Sequence, residues 1–131
     1  MDIQVASNFE RALFEAANRD AGWTRDAMAM FARDRKVTLP PEILSSLRAR
    51  YSAAASSDEQ TIATIRAVHA ETGRIIDPHT AVGVAVARRM PASGDVSTVI
   101  LSTAHPAKFP DAVTRAIGHA PPQPSRLQGL E

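Results

Sequence analysis

The side chains with the types and spacing to do chemistry fall in two related segments, Gly73-Arg-Ile-Ile-Asp-Pro-His-Thr-Ala-Val-Gly83 and Thr98-Val-Ile-Leu-Ser-Thr-Ala-His-Pro-Ala-Lys-Phe-Pro110. Each reads as a short apolar strand that runs into a polar turn and then a helix start. In a parallel α/β sheet, ligands bind beyond the carboxyl ends of the strands, which is where such turns lie. Asp77 and His79 stand at the first of these points; Thr103, His105 and Lys108 stand at the second. Asp77-Pro78 has the form of an N-cap followed by the first helical residue, so the carboxylate satisfies free backbone amides. The same geometry attracts anions and polar ligand groups, and His79 on that first turn is either a pocket residue or an exposed one. Thr103 follows a strand end, where a hydroxyl caps a turn or meets a ligand. His105 is expected to bond to backbone, and Lys108 to be a solvated turn lysine.

Other chemistries have weaker support. Asp77, His79 and His105 could converge at two strand ends, but the chain has no His-x-x-x-His pair or other tight ligand spacing, and no metal site is expected. Cysteine is absent, which removes disulfides, thiolate zinc sites and thiol nucleophiles. Ser45-Ser46 and Ser56-Ser57 lack the glycines of a nucleophile elbow.

The elements that must position these residues are mostly helical. Ser7-Asn-Phe-Glu10 has capping-box form, and Phe9, Leu13, Ala16 and Ala17 share the face of the helix that follows. Asn18 to Gly22 breaks it. Trp23, Ala27, Met30 and Phe31 mark the inward face of a second helix ending near Lys36. Leu39-Pro-Pro41 opens a third, with Leu44, Leu47 and Tyr51 as its buried stripe. Ser52 to Ser57 reads as a linker. Ser57-Asp-Glu-Gln60 is another capping box, beginning a fourth helix with Ile62, Ile65 and Val68 inward and Gly73 at its end. Ile75-Ile76 is expected to be a short strand, Asp77-Pro78 to start a fifth helix running to about Arg89, and Pro91 to Asp95 to turn. Ser97 to Ser102 is β-branched and is expected to be a second strand, giving a right-handed βαβ unit. Pro110 to Ile117 forms a last helix closed by Gly118, and Ala120 to Pro124 is extended or disordered.

With 131 residues and a net charge of +1, the chain fits one domain by length and gives no electrostatic case for nucleic acid or an anionic membrane as partner. No apolar run is long enough to span a bilayer, and the start lacks the pattern of a signal peptide, so a cytoplasmic location is the default. Two short strands cannot close a stable open sheet. The small-faced fifth helix, with Ala81, Gly83, Ala85 and Ala87, and strands apolar on both sides call for further strands and helices. The chain is therefore expected to be part of a larger fold.

The two quoted segments, together with Met1-Asp-Ile-Gln-Val and Ser7-Asn-Phe-Glu-Arg11, closely resemble the C-terminal third of the threonine synthase family, from Met1 to about Gly118. The resemblance implies a fold type II pyridoxal-phosphate enzyme (tryptophan synthase β-like): α/β overall, with residues 1–118 a mostly helical C-terminal part carrying a short parallel βαβ unit, and 119–131 a proline-rich tail. It implies a lyase that, when complete, converts O-phospho-L-homoserine and water into L-threonine and phosphate. Thr103 is then the hydroxyl set against the pyridine nitrogen of the cofactor. Such a neutral donor leaves that nitrogen largely unprotonated and restrains unwanted carbanion chemistry. Asp77 and His79 are then cofactor-pocket residues. The family's Schiff-base lysine lies upstream of the matched segment. Lys36 and Lys108 are the only lysines here, and Lys108 stands in a different motif. The implied partner is the remaining N-terminal part of the enzyme, and this chain alone is expected to be inactive.

Two other readings compete. One is another lyase of the same fold type, such as a serine or threonine dehydratase, against which the Asp77-Pro-His-Thr80 and Thr103-Ala-His-Pro106 motifs argue. The other is a non-catalytic helical interaction module, which predicts a self-sufficient core with every apolar face covered, whereas a part of a larger fold leaves a broad patch exposed.

Overall fold

The computed structural model describes residues 8–90, 94 and 97–125. Its helices are α1 (Phe9–Ala16), α2 (Ala21–Asp34), α3 (Pro41–Arg48), α4 (Asp58–Thr72), α5 (Pro78–Arg89) and α6 (Pro110–Ile117), with a 3₁₀ turn at Pro106–Lys108 before α6. The chain divides into two compact units between Ala53 and Ala54.

In the first unit α1 packs on α2 and α3, burying Leu13, Ile43 and Leu47 against Trp23, Met28 and Leu39. The α1 cap expected at Ser7 lies outside the described residues. Asn18 and Arg19 take positive φ values of 53° and 62° where the chain leaves α1. α2 starts earlier than the apolar spacing predicts, because Asp20 is its N-cap and accepts the Trp23 amide at 2.9 Å. Three residues expected on inward faces are exposed, the first being Phe9 at the start of α1. Met30 falls on a part of α2 where the unit buries only Ala27. Tyr51 lies past Arg48, where α3 ends, and Ile43 joins Leu47 inside in its place.

In the second unit α4 packs on both α5 and α6. Its capping box forms in full: the Ser57 amide donates to Gln60 Oε1 at 2.9 Å, and the Gln60 amide donates to Ser57 Oγ at 3.2 Å. Gly73 closes α4 at φ 70°, in the left-handed region that a side chain disfavours. Ile65 and Ala81 are fully buried and Ala116 nearly so, forming the centre of this core with Ile62, Ile76 and Ile117 at its edge. The alanine on α5 lets that helix approach α4 closely. Arg66 on α4 donates to the carbonyls of Ala116 (3.0 Å) and Arg115 (3.3 Å), satisfying acceptors that the end of α6 leaves open. Beyond α6 the chain has no regular structure through Pro124, although Pro121 is buried.

The expected strands are not found. Among the described residues no strand is formed, and neither Ile75-Ile76 nor Ser97–Ser102 belongs to a ladder. The dihedral preference of β-branched residues does not make a strand; a paired neighbour does. The second segment lies over α5, where a β-carbon added to Gly83 would sit 3.3 Å from the Ile100 side chain. Its other side is open, with Val99 80% and Leu101 74% exposed. The described chain is thus mostly helical, with two irregular segments that pair with no strand among the described residues. No helix among the described residues is long and apolar enough to cross a membrane.

Candidate functional site

The site is built around the start of α5. Asp77 is its N-cap and is fully buried. Pro78 costs no backbone donor at the first helical position and fixes the turn. Asp77 Oδ1 accepts the amides of His79 at 2.9 Å and Thr80 at 3.3 Å, the ordinary work of a cap. The same oxygen lies 3.2 Å from His79 Nδ1. A carboxylate selects a protonated Nδ1, so the neutral ring presents Nε2 as an acceptor. The His79 side chain is 25% exposed and its ring meets that of Phe109 edge-on, with centroids 5.0 Å apart.

The other oxygen, Asp77 Oδ2, accepts the hydroxyl of Thr80. Thr80 is itself buried and its Oγ1 accepts the Thr103 amide at 3.4 Å. The Thr103 loop is thereby tied to the start of α5. Thr103 is exposed, and among the described residues its hydroxyl makes no hydrogen bond. Its hydroxyl is left with one neutral donor and its acceptor capacity unused among the described residues.

Asp77 contacts His79 directly and is linked to the Thr103 backbone through Thr80. His105 plays the backbone role expected of it, Nδ1 accepting the Ala107 amide at 3.1 Å as the cap of the 3₁₀ turn. Lys108 is exposed at the end of that turn. Among the described residues no three His, Asp or Glu side chains gather as metal ligands. Sequence reasoning missed Thr80 and Phe109. Thr80 reads as an ordinary first-turn threonine and Phe109 as the residue before a helix-starting proline; Thr80 bonds Asp77 three residues back, but its tie to Thr103, like the ring contact of Phe109 with His79, joins segments distant in the chain.

Comparison with known proteins finds relatives along nearly the whole chain. A family profile described as "Threonine synthase, C-terminal" matches residues 80–131, which include Thr80, Thr103 and Phe109. The threonine synthase of Pseudomonas aeruginosa is 42% identical over 131 residues, 99% of this chain and 28% of that protein. The threonine synthase of Corynebacterium glutamicum is 38% identical, across 99% of this chain and 28% of its own length. The human protein named threonine synthase-like 2 is 34% identical over 100% of this chain and 27% of its own. Among solved structures, a pyridoxal-phosphate-bound threonine synthase from Brucella melitensis superposes with a TM-score of 0.81 at 48% identity, covering 97% of this chain and 27% of that one. The chain thus spans little more than a quarter of the length of these relatives, and the matches support a threonine synthase C-terminal portion.

Proposed function

We propose that this chain is the C-terminal portion of a threonine synthase, a pyridoxal-phosphate-dependent carbon–oxygen lyase that in its complete form converts O-phospho-L-homoserine and water into L-threonine and phosphate. The observation that carries the reading is the unengaged hydroxyl of Thr103, exposed beside Asp77 and His79 at the start of α5. A side chain in that state fits a cofactor ring nitrogen: it donates one neutral hydrogen bond and leaves the nitrogen unprotonated. The cofactor, when bound, supplies the electron sink that lets phosphate leave the substrate's γ carbon and water add at the β carbon. Asp77 fixes the helix start and the His79 ring, and His79 lines the pocket with Nε2 available to a polar neighbour. The amine that anchors the cofactor and most phosphate-binding groups belong to the remaining N-terminal part of the enzyme, the implied partner.

The same reading accounts for the two unpaired irregular segments. Ile75-Ile76 and Ser97–Ser102 become strands of a parallel sheet, with α5 as the crossover, once partner strands from the rest of the enzyme lie beside them. The exposure of Val99 and Leu101 supports this, since apolar side chains of that size are seldom left open together without a partner surface. The interaction-module alternative requires covered apolar faces, and this one is bare. A cytoplasmic location goes with the assignment.

The test is reconstitution. Mixed with pyridoxal phosphate alone, the 131-residue chain is expected to give no protein-bound absorbance band, and no threonine from O-phosphohomoserine. Joined to the N-terminal part, it is expected to release phosphate and threonine in equal amounts. A stoichiometric, borohydride-trappable adduct at Lys108 in the lone chain, or a keto acid as the product of the joined enzyme, would overturn the proposal.

A further inference from the structure

Capping α5 accounts for only half of the Asp77 carboxylate. Oδ1 takes the two amides, whereas Oδ2 is given to the Thr80 hydroxyl. A hydroxyl has one proton. Once Thr80 donates it to a fixed, fully buried oxygen, its orientation is set and its remaining capacity is that of an acceptor. The group that fills that capacity is the amide of Thr103, 23 residues along the chain. Among the described residues the Ser97–Thr103 stretch belongs to no strand ladder, and this bond and the approach of Ile100 to Gly83 help register it on α5.

We propose that Thr80 is a positioning residue: it passes the fixed position of Asp77 to the backbone of Thr103, so that the Thr103 hydroxyl stands in reach of the cofactor's ring nitrogen. The inference rests on the reading of Thr103 given above. It assigns Thr80 no contact with cofactor or substrate. Its role is that of a directional hydrogen-bond link, and an isosteric side chain lacking the oxygen abolishes it while preserving shape. Thr80→Val removes both the donor to Asp77 and the acceptor for Thr103; Thr80→Ser keeps both. A buried hydroxyl replaced in this way leaves the Thr103 amide without its partner, and the loop shifts or loosens.

The experiment uses the complete enzyme, with Thr80→Val, Thr80→Ser and, for reference, Thr103→Val. Amide hydrogen exchange is followed in the peptide that carries Thr103, first without cofactor. Thr80→Val is expected to speed exchange at that site by about tenfold, the order set by losing one net hydrogen bond, with Thr80→Ser near the parent rate. With pyridoxal phosphate bound, Thr80→Val is expected to move the cofactor's absorbance band in the same direction as Thr103→Val. Its kcat is expected to fall by up to about a hundredfold, as small misplacements near reacting groups do, with KM nearly unchanged and Thr80→Ser restoring both band and kcat. Parent-like exchange at Thr103 in Thr80→Val overturns the proposal. So does faster exchange with an unmoved band, if Thr103→Val itself moves the band. A Thr103→Val band that stays in place signals instead that the underlying reading of Thr103 has failed, and the inference falls with it.

Discussion

Asp77 divides its two oxygens between two tasks, and the division explains why it is fully buried without being a liability. Oδ1 completes the first turn of α5 and holds the His79 ring; Oδ2 holds Thr80. A buried carboxylate is tolerated only when its lone pairs are met in this way, and among the described residues no buried side-chain nitrogen or oxygen lacks a partner. Replacing Asp77 by alanine removes the cap and strands the Thr80 hydroxyl. The two losses together are expected to destabilise the chain by about 2–4 kcal/mol in denaturant unfolding. Asp77→Asn keeps a capping oxygen and is expected to retain most of the stability, since asparagine caps about as well as aspartate. Equal losses from the two substitutions would show that capping contributes little here. The cap itself was legible in the Asp-Pro pair, since a cap is a matter of adjacent residues. The bond from Thr103 to Thr80 was not, because it joins segments that only the packing of α5 brings together.

Helix boundaries follow the same rule at the next scale up. Ser57-Asp-Glu-Gln60, Gly73, Asp77-Pro78, Pro110 and Gly118 each end or begin a helix where the sequence suggested, since each acts on amides or carbonyls within one turn of itself. The energetics are correspondingly local. Ser57→Ala is expected to lower stability by about 1 kcal/mol by opening the box. Gly73→Ala is expected to lower it by about 1–2 kcal/mol: nothing lies within 4 Å of the added carbon, so the loss is one of backbone conformation alone. Thermal unfolding of the two variants checks both, and a neutral Gly73→Ala would mean that the α4 terminus relaxes out of its left-handed turn. Inward faces were less legible than ends. Leu13, Leu47, Ile65 and Val68 are buried as their spacing implied, whereas Met30 and Tyr51 are exposed, because periodicity marks a face without saying how far along it a neighbour extends.

At the scale of the molecule, the chain carries well-formed helices beside two irregular apolar segments that pair with no strand among the described residues. On the proposed reading the missing neighbours are supplied by the rest of the enzyme, in keeping with a chain about 28% as long as the bacterial relatives it matches. Val99 and Leu101 are then interface residues. Val99→Asp and Leu101→Asp are expected to leave the stability of the lone chain within about 0.5 kcal/mol, as exposed substitutions generally do. The same changes are expected to prevent it from assembling with the N-terminal part, measured by co-elution and by recovered threonine formation. Loss of the lone chain's own fold on either substitution would place these residues in its core instead and remove the main structural support for the larger fold.

The amino-acid sequence alone determined the presence of the helices, the caps at Ser57 and Asp77, and the likeness to threonine synthases, because these depend on residues within a turn of one another or on the order of side chains itself. Tertiary structure decided that Thr103 is open with its hydroxyl unengaged, that Thr80 links it to Asp77, that Phe109 backs His79, and that the β-branched stretch before Ser102 pairs with nothing among the described residues. Hydrogen bonds and ring contacts between distant segments exist only once helices pack, and a strand exists only beside another.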